Sequence, residues 1–125
     1  MKHSQGFLAL VDDAMQRVQE IDAAELLRRL EHGERLLLVD VREDHEWEQG
    51  HLPGAVHLGK GTIERDIETR IPDQSAPIVL YCGGGYRSAL AADAIQRMGY
   101  RNVLSLAGGF RGWRENGHAV EHDDD

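Results

Sequence analysis

Pro77-Ile78-Val79-Leu80-Tyr81-Cys82-Gly83-Gly84-Gly85-Tyr86-Arg87-Ser88-Ala89-Leu90-Ala91-Ala92 passes from apolar to glycine-rich to alanine-rich. Ile78 to Tyr81 is apolar without alternation and too short for a helix, so it predicts a strand covered on both faces. Ser88 to Met98 predicts a helix stopped by Gly99. Between them lie the only cysteine of the chain, three consecutive glycines and an arginine. Strand, turn and helix in that order open a βαβ unit.

The flanking segments repeat the alternation. Leu36-Leu37-Leu38-Val39-Asp40-Val41 is a second buried strand, Asn102 to Leu106 a third, and Ala55 to Leu58 a short one. Phe7, Leu8, Val11, Ala14, Met15 and Val18 fall at helical spacing, which predicts an amphipathic leading helix within residues 1–20, packed on the domain. Asp22 and Glu25 resemble a capping box opening a helix through Leu30, with Gly33 as its stop. Glu43 to Gln49 reads as a short helical turn ended by Gly50, and His51-Leu52-Pro53-Gly54 as a turn. Thr62 to Arg70 reads as a helix with Ile63, Ile67 and Ile71 on one side, and Gly108-Gly109-Phe110 leads into a short helix carrying Trp113. The expectation is an α/β fold with a mostly parallel central sheet and helices on both faces. Ligands of such sheets gather beyond the carboxyl ends of the strands. Cys82 lies at one such end and Asp40 near another.

A chain of 125 residues is expected to form one domain, here over residues 21–120 with an acidic tail at 121–125. One cysteine cannot form an internal disulfide, which argues against a secreted, cross-linked scaffold. The formal charge of −8 argues against nucleic acid and anionic membranes as partners, although four of the negative charges sit on Glu121, Asp123, Asp124 and Asp125. It leaves room for a small anionic substrate, because fields are screened within about 8–10 Å at physiological salt. The first residues lack the apolar core of a signal peptide and no run reaches membrane-spanning length, so a cytoplasmic location is expected.

Cys82 carries the chemistry. Three glycines allow positive φ and close approach of the backbone to a ligand, so the N–H groups from Gly84 to Ser88 are expected to converge as an anion-binding nest. Arg87 and the positive end of the helix from Ser88 add to the field. A thiol in such surroundings typically has its pKa lowered into the range of about 3.5–7.5. None of the seven histidines forms a recognisable pair with the cysteine, so activation is assigned to backbone and Arg87 rather than to a histidine base.

On these residues the chain resembles the rhodanese-like sulfurtransferases from about Asp22 to Val120. Asp40-Val41-Arg42 with Glu46-Trp47 and Gly50-His51-Leu52-Pro53-Gly54-Ala55 is similar to the first signature of that family. Cys82 to Arg87 is similar to its active-site loop, and Gly108-Gly109-Phe110 with Trp113 to its closing signature. The resemblance implies a single rhodanese-like domain, no metal and no organic cofactor. It also implies a ping-pong cycle through a Cys82 persulfide, with a small anionic sulfur donor (thiosulfate or a persulfide) and a thiol or cyanide acceptor. Arg87 would bind the donor, with Gly83, Gly84, Gly85, Tyr86 and Ser88 forming the cradle. The related dual-specificity phosphatases carry one residue more between cysteine and arginine, so the shorter loop here favours sulfur transfer over phosphate-ester hydrolysis. Many thiosulfate-using relatives have a basic residue after the cysteine, where this chain has Gly83. That departure widens the donor choice to polysulfides and to glutathione-type or protein persulfides.

Asp40 and Arg42 have two readings, tuning of the site from a strand end or a structural ion pair. Glu46 and His51 read as clamps of the short helix to its turn. His51 and His57 lack zinc-ligand spacing, and no Lys-Ser/Thr follows the glycines as a nucleotide P-loop requires. Phe110 and Trp113 read as core anchors, and Tyr86 as a loop residue facing an acceptor. An enzyme is the preferred function class, and a non-enzymatic persulfide carrier or sensor serving one protein partner is the alternative. The residues leave the oligomeric state open.

Overall fold

The computed structural model describes residues 2–122. Along the chain it forms α1 (Gln5–Met15), β1 (Gln19–Ile21), α2 (Ala23–Glu31), β2 (Leu37–Asp40), α3 (Asp44–Glu48), β3 (Val56–His57), α4 (Ile63–Arg70), β4 (Ile78–Tyr81), α5 (Tyr86–Arg97), β5 (Val103–Leu106) and α6 (Gly109–Glu115). The strands make one sheet in the order β1-β5-β4-β2-β3, and every pairing is parallel.

That order fixes where a ligand site belongs. After β2 the chain adds β3 on one side, and after β4 it adds β5 on the other, so the direction of growth reverses between β2 and β4. Loops leaving the carboxyl ends of two such strands diverge and leave a crevice. Asp40 is paired in register with Tyr81, so the Asp40–Arg42 and Cys82 segments flank this crevice from adjacent strands.

The continuous apolar runs fill both faces, as a period of two along each strand requires. Val39, Ile78 and Leu80 join Ile63, Ile67 and Ile95 in one core, while Leu38, Val79 and Tyr81 join Leu26, Phe110 and Trp113 in the other. Helices therefore cover both faces of the sheet. Among the described residues no helix is long and apolar enough to cross a membrane.

Several boundaries differ from the sequence expectation. The leading helix ends at Met15, and Gln19–Ile21 forms an edge strand instead of continuing it. Gln-Glu-Ile has only one inward position, Ile21, so no apolar run announces it. Asp22 does cap α2 by accepting from the Glu25 N–H, but the Glu25 carboxylate turns to Arg28 and Arg29 rather than completing a box. The reciprocal contact occurs instead at α3, where the Glu43 N–H donates to Glu46 Oε1 at 2.9 Å. Helix α5 starts two residues earlier than expected, because Gly85 at φ 107° serves as its N-cap. Glu121, grouped with the acidic tail, pairs with His51 through two backbone hydrogen bonds of 2.8 and 2.9 Å. Asp123, Asp124 and Asp125 lie outside the described residues.

Candidate active site

Cys82 follows β4 directly, and its side chain is buried at 1 % exposure. The turn Cys82-Gly83-Gly84-Gly85 folds back over the sulfur and delivers the chain into α5. Two amides of the expected nest reach Sγ: the Gly85 N–H donates at 3.1 Å and the Ser88 N–H at 3.3 Å. Ser88 Oγ lies 3.5 Å from the sulfur. Negative charge on Sγ is stabilised by these donors and by the first turn of α5. Of the three loop glycines only Gly85 has positive φ, so it alone requires the freedom assigned to all three.

A second layer holds this cradle. Ser88 Oγ donates to Gly85 O at 3.2 Å and shares a 2.8 Å hydrogen bond with Ser105 Oγ, which is fully buried on β5. The loop also rests on the start of α6. The Phe110 N–H donates to Cys82 O at 2.7 Å and the Arg111 N–H to Gly83 O at 3.0 Å. This approach needs Gly109: a Cβ there would lie 2.5 Å from Cys82 O and 2.8 Å from Gly83 C. Ser105 and Gly109 were not among the candidate residues. Their signals were a polar residue inside the apolar Val103–Leu106 run and a second glycine beside the one that caps α6.

Arg87 is gripped from α3. Its Nη1 donates to Glu46 Oε1 at 2.7 Å and its Nη2 to Glu46 Oε2 at 3.1 Å, a two-point contact between half-buried groups. These bonds hold the Glu46 carboxyl down to about 2 against the opposing cost of burial, with the Glu43 N–H helping. Arg87 is pushed upward in turn, first by Glu46 and then by the nearby Cys82 sulfur. Glu46 thus takes two of the five guanidinium N–H donors. Tyr86 is exposed beside the loop, with its ring 5.1 Å from His3 and 6.2 Å from Phe7 of the leading segment.

Asp40 and Arg42 form a buried pair on the other side of the crevice. Arg42 Nε donates to both Asp40 oxygens at 3.0 and 3.1 Å, Nη2 to Oδ2 at 2.8 Å, and the Arg42 N–H to Oδ1 at 2.9 Å. Nη2 also donates to Gly50 O at 2.7 Å, tying the turn after α3 to the strand end. The Arg42 guanidinium lies 4.2 Å from the centre of the Phe110 ring. Trp47 and His51 stack with centroids 3.6 Å apart beneath that turn.

Arg42, Glu46, Gly83, Phe110, Arg111 and Arg114 line a polar pocket of about 190 Å³ beside the loop. A larger apolar cavity of about 350 Å³ lies at the amino ends of β2 and β4, among Leu36, Val56 and Pro72. Cys82 itself lines neither, but the smaller pocket borders the Cys82 loop at Gly83 and is the candidate site. No group of three or more histidine, cysteine or acidic side chains able to hold a metal occurs among the described residues.

A family model described as rhodanese-like domain matches residues 22–116. A protein of Allochromatium vinosum named a sulfurtransferase is 38% identical over 100 residues, covering 80% of this chain and 92% of that protein. YrkF of Bacillus subtilis, whose name describes a sulfur carrier, is 30% identical over 96 residues. That match covers 77% of this chain but only 51% of YrkF, so the chain spans about half of that relative. A solved structure from Rhodopseudomonas palustris, of unknown function and described as a possible tyrosine phosphatase, superposes with a TM-score of 0.84. It is 32% identical, and the match covers 97% of this chain and 98% of that one.

Proposed function

The chain belongs to the rhodanese-like domain family, and on that premise we propose that it is a sulfurtransferase working through a persulfide on Cys82. The observation that carries this reading is the pair of backbone N–H groups directed at a buried sulfur from within the loop. The Cys82 thiolate attacks the outer sulfur of the donor. The S–S bond of thiosulfate breaks, its electron pair leaves with sulfite, and Cys82 carries the transferred sulfur as a persulfide anion. The Gly85 and Ser88 amides hold that charge while the first product leaves. An acceptor thiolate or cyanide then attacks the outer sulfur and restores the Cys82 thiolate, so the cycle is neutral in electrons and needs no further reagent.

Glu46 positions Arg87, whose remaining donors bind the oxygens of a sulfonate-type donor. Replacing Arg87 by alanine is expected to lower kcat/KM for thiosulfate by about 2–3 kcal/mol of transition-state stabilisation. An unchanged kcat/KM would remove Arg87 from the mechanism. A thiosulfate–cyanide assay tests the whole proposal: turnover in the wild type and none in Cys82→Ser supports the enzyme. Negligible turnover with a stable persulfide would favour a carrier, the role named for the half-matched relative. The description of the R. palustris neighbour makes aryl-phosphate hydrolysis the second control, and none is expected from the short loop.

A further inference from the structure

Position 83 lacks the basic side chain expected at the rim of a thiosulfate site, yet the pocket beside it is not short of positive charge. Arg111 and Arg114 stand three residues apart on α6, exposed, and both line the pocket. Neither makes an ion pair with any carboxylate among the described residues, in a chain of net charge −8 whose other pocket arginine, Arg42, is bound to Asp40 and to Gly50 O. Arg111 reaches the loop itself, with Nη1 3.6 Å from where a Cβ of Gly84 would stand. Arg114 packs its guanidinium 5.3 Å from the centre of the Phe110 ring, the ring that Arg42 also covers. That contact orders a side chain otherwise free to sweep through solvent.

Resting on the sulfur-transfer reading, we infer that Arg111 and Arg114 form a second anion subsite for the carboxylate tail of a low-molecular-weight persulfide donor. The sulfonate of thiosulfate is bonded directly to the attacked sulfur, so it stays within reach of the loop amides and Arg87. A rim of two further guanidinium groups serves only a donor whose negative charge lies several bonds away. Planar guanidinium groups match carboxylates through paired N–H donors. A Cβ at position 83 would stand 3.0 Å from Arg87 Nη2, so the glycine leaves that guanidinium its place beside the pocket. The step balances: the Cys82 thiolate attacks the terminal sulfur of R–S–SH, the S–S bond breaks, R–S⁻ leaves with the electron pair, and Cys82–S–SH keeps the proton.

The test compares three donors on wild type and Arg111→Gln/Arg114→Gln: glutathione persulfide, thiosulfate, and a cysteamine-derived persulfide without a carboxylate. The double variant is expected to lower the kcat/KM ratio of glutathione persulfide to each other donor by at least about tenfold, mainly through KM. Lysines at both positions should recover part of the loss. Equal losses on all three donors, or no loss on glutathione persulfide, would overturn the subsite. Calorimetric binding of glutathione to Cys82→Ser, with and without the two arginine substitutions, keeps the subsite separate from the chemistry. Arginine-dependent binding without any sulfur transfer would sink the transfer reading and sustain the subsite. Binding indifferent to the arginines would overturn the subsite whatever the turnover.

Discussion

The carboxyl ends of β4 and β2 face the same crevice and use it in opposite ways. At β4 the chain ends in a sulfur that receives two backbone N–H groups, and among the described residues no carboxylate or imidazole is hydrogen-bonded to it. At β2 it ends in a carboxylate that Arg42 holds through four hydrogen bonds, three from the guanidinium and one from the backbone N–H. A closed pair can brace a turn, whereas a sulfur faced by amide N–H groups and a nearby guanidinium lies in a field that favours negative charge. Position at a topological switch therefore identifies the neighbourhood, and the state of the partners identifies the reacting group.

The largest effect expected from breaking this contrast is at the braced side. Asp40→Ala leaves the Arg42 guanidinium buried without its carboxylate, which should cost about 3–5 kcal/mol of stability in chemical denaturation. Asp40→Leu with Arg42→Met should recover most of that loss, since apolar side chains of similar size replace a buried pair at little cost. Recovered stability with lost turnover would move the pair from bracing to chemistry.

Gly109→Ala comes next, because its Cβ presses on the backbone of Cys82 and Gly83 and sits at φ 57°. A cost of about 2–3 kcal/mol is expected, together with slower persulfide formation, as the loop is pushed off α6. A variant with lower stability but wild-type sulfur uptake would show that α6 does not set the loop.

The smallest effect concerns the grip on Arg87. The Glu46 carboxyl titrates near 2 when folded against 4.5 as its ordinary value, so it is depressed. Its contribution is therefore complete above about pH 4.5 and is lost as the pH falls toward 2. Stability of wild type minus Glu46→Gln should be about 1 kcal/mol at neutral pH, small because the half-buried pair is still partly reached by solvent, and should vanish near pH 2. A difference that does not change with pH would deny the ion pair.

The order of elements and the sulfur were legible because each rests on local chemistry. Leu38, Val39 and Asp40 of β2 and Ile78–Tyr81 of β4 are buried on both faces, and a cysteine before three glycines marks its own turn. Edge strand β1 was not legible, because its two exposed residues are polar and its pairing partner is β5, far along the chain. Ser105, Glu46, Arg111 and Arg114 were invisible as site residues for the same reason. They come from other elements, and only packing brings a serine of β5, a glutamate of α3 and Arg111 of α6 to one turn, with Arg114 on the wall of the pocket beside it. Gly85 shows the reverse case, a need for positive φ that three identical neighbours concealed.

Intact-mass analysis of the protein after brief exposure to thiosulfate or glutathione persulfide is the most direct measurement. One added sulfur is expected, located on Cys82 by peptide mapping, absent from Cys82→Ser, and released as thiocyanate when cyanide is supplied. A folded wild-type protein that gains no sulfur from either donor would contradict the account.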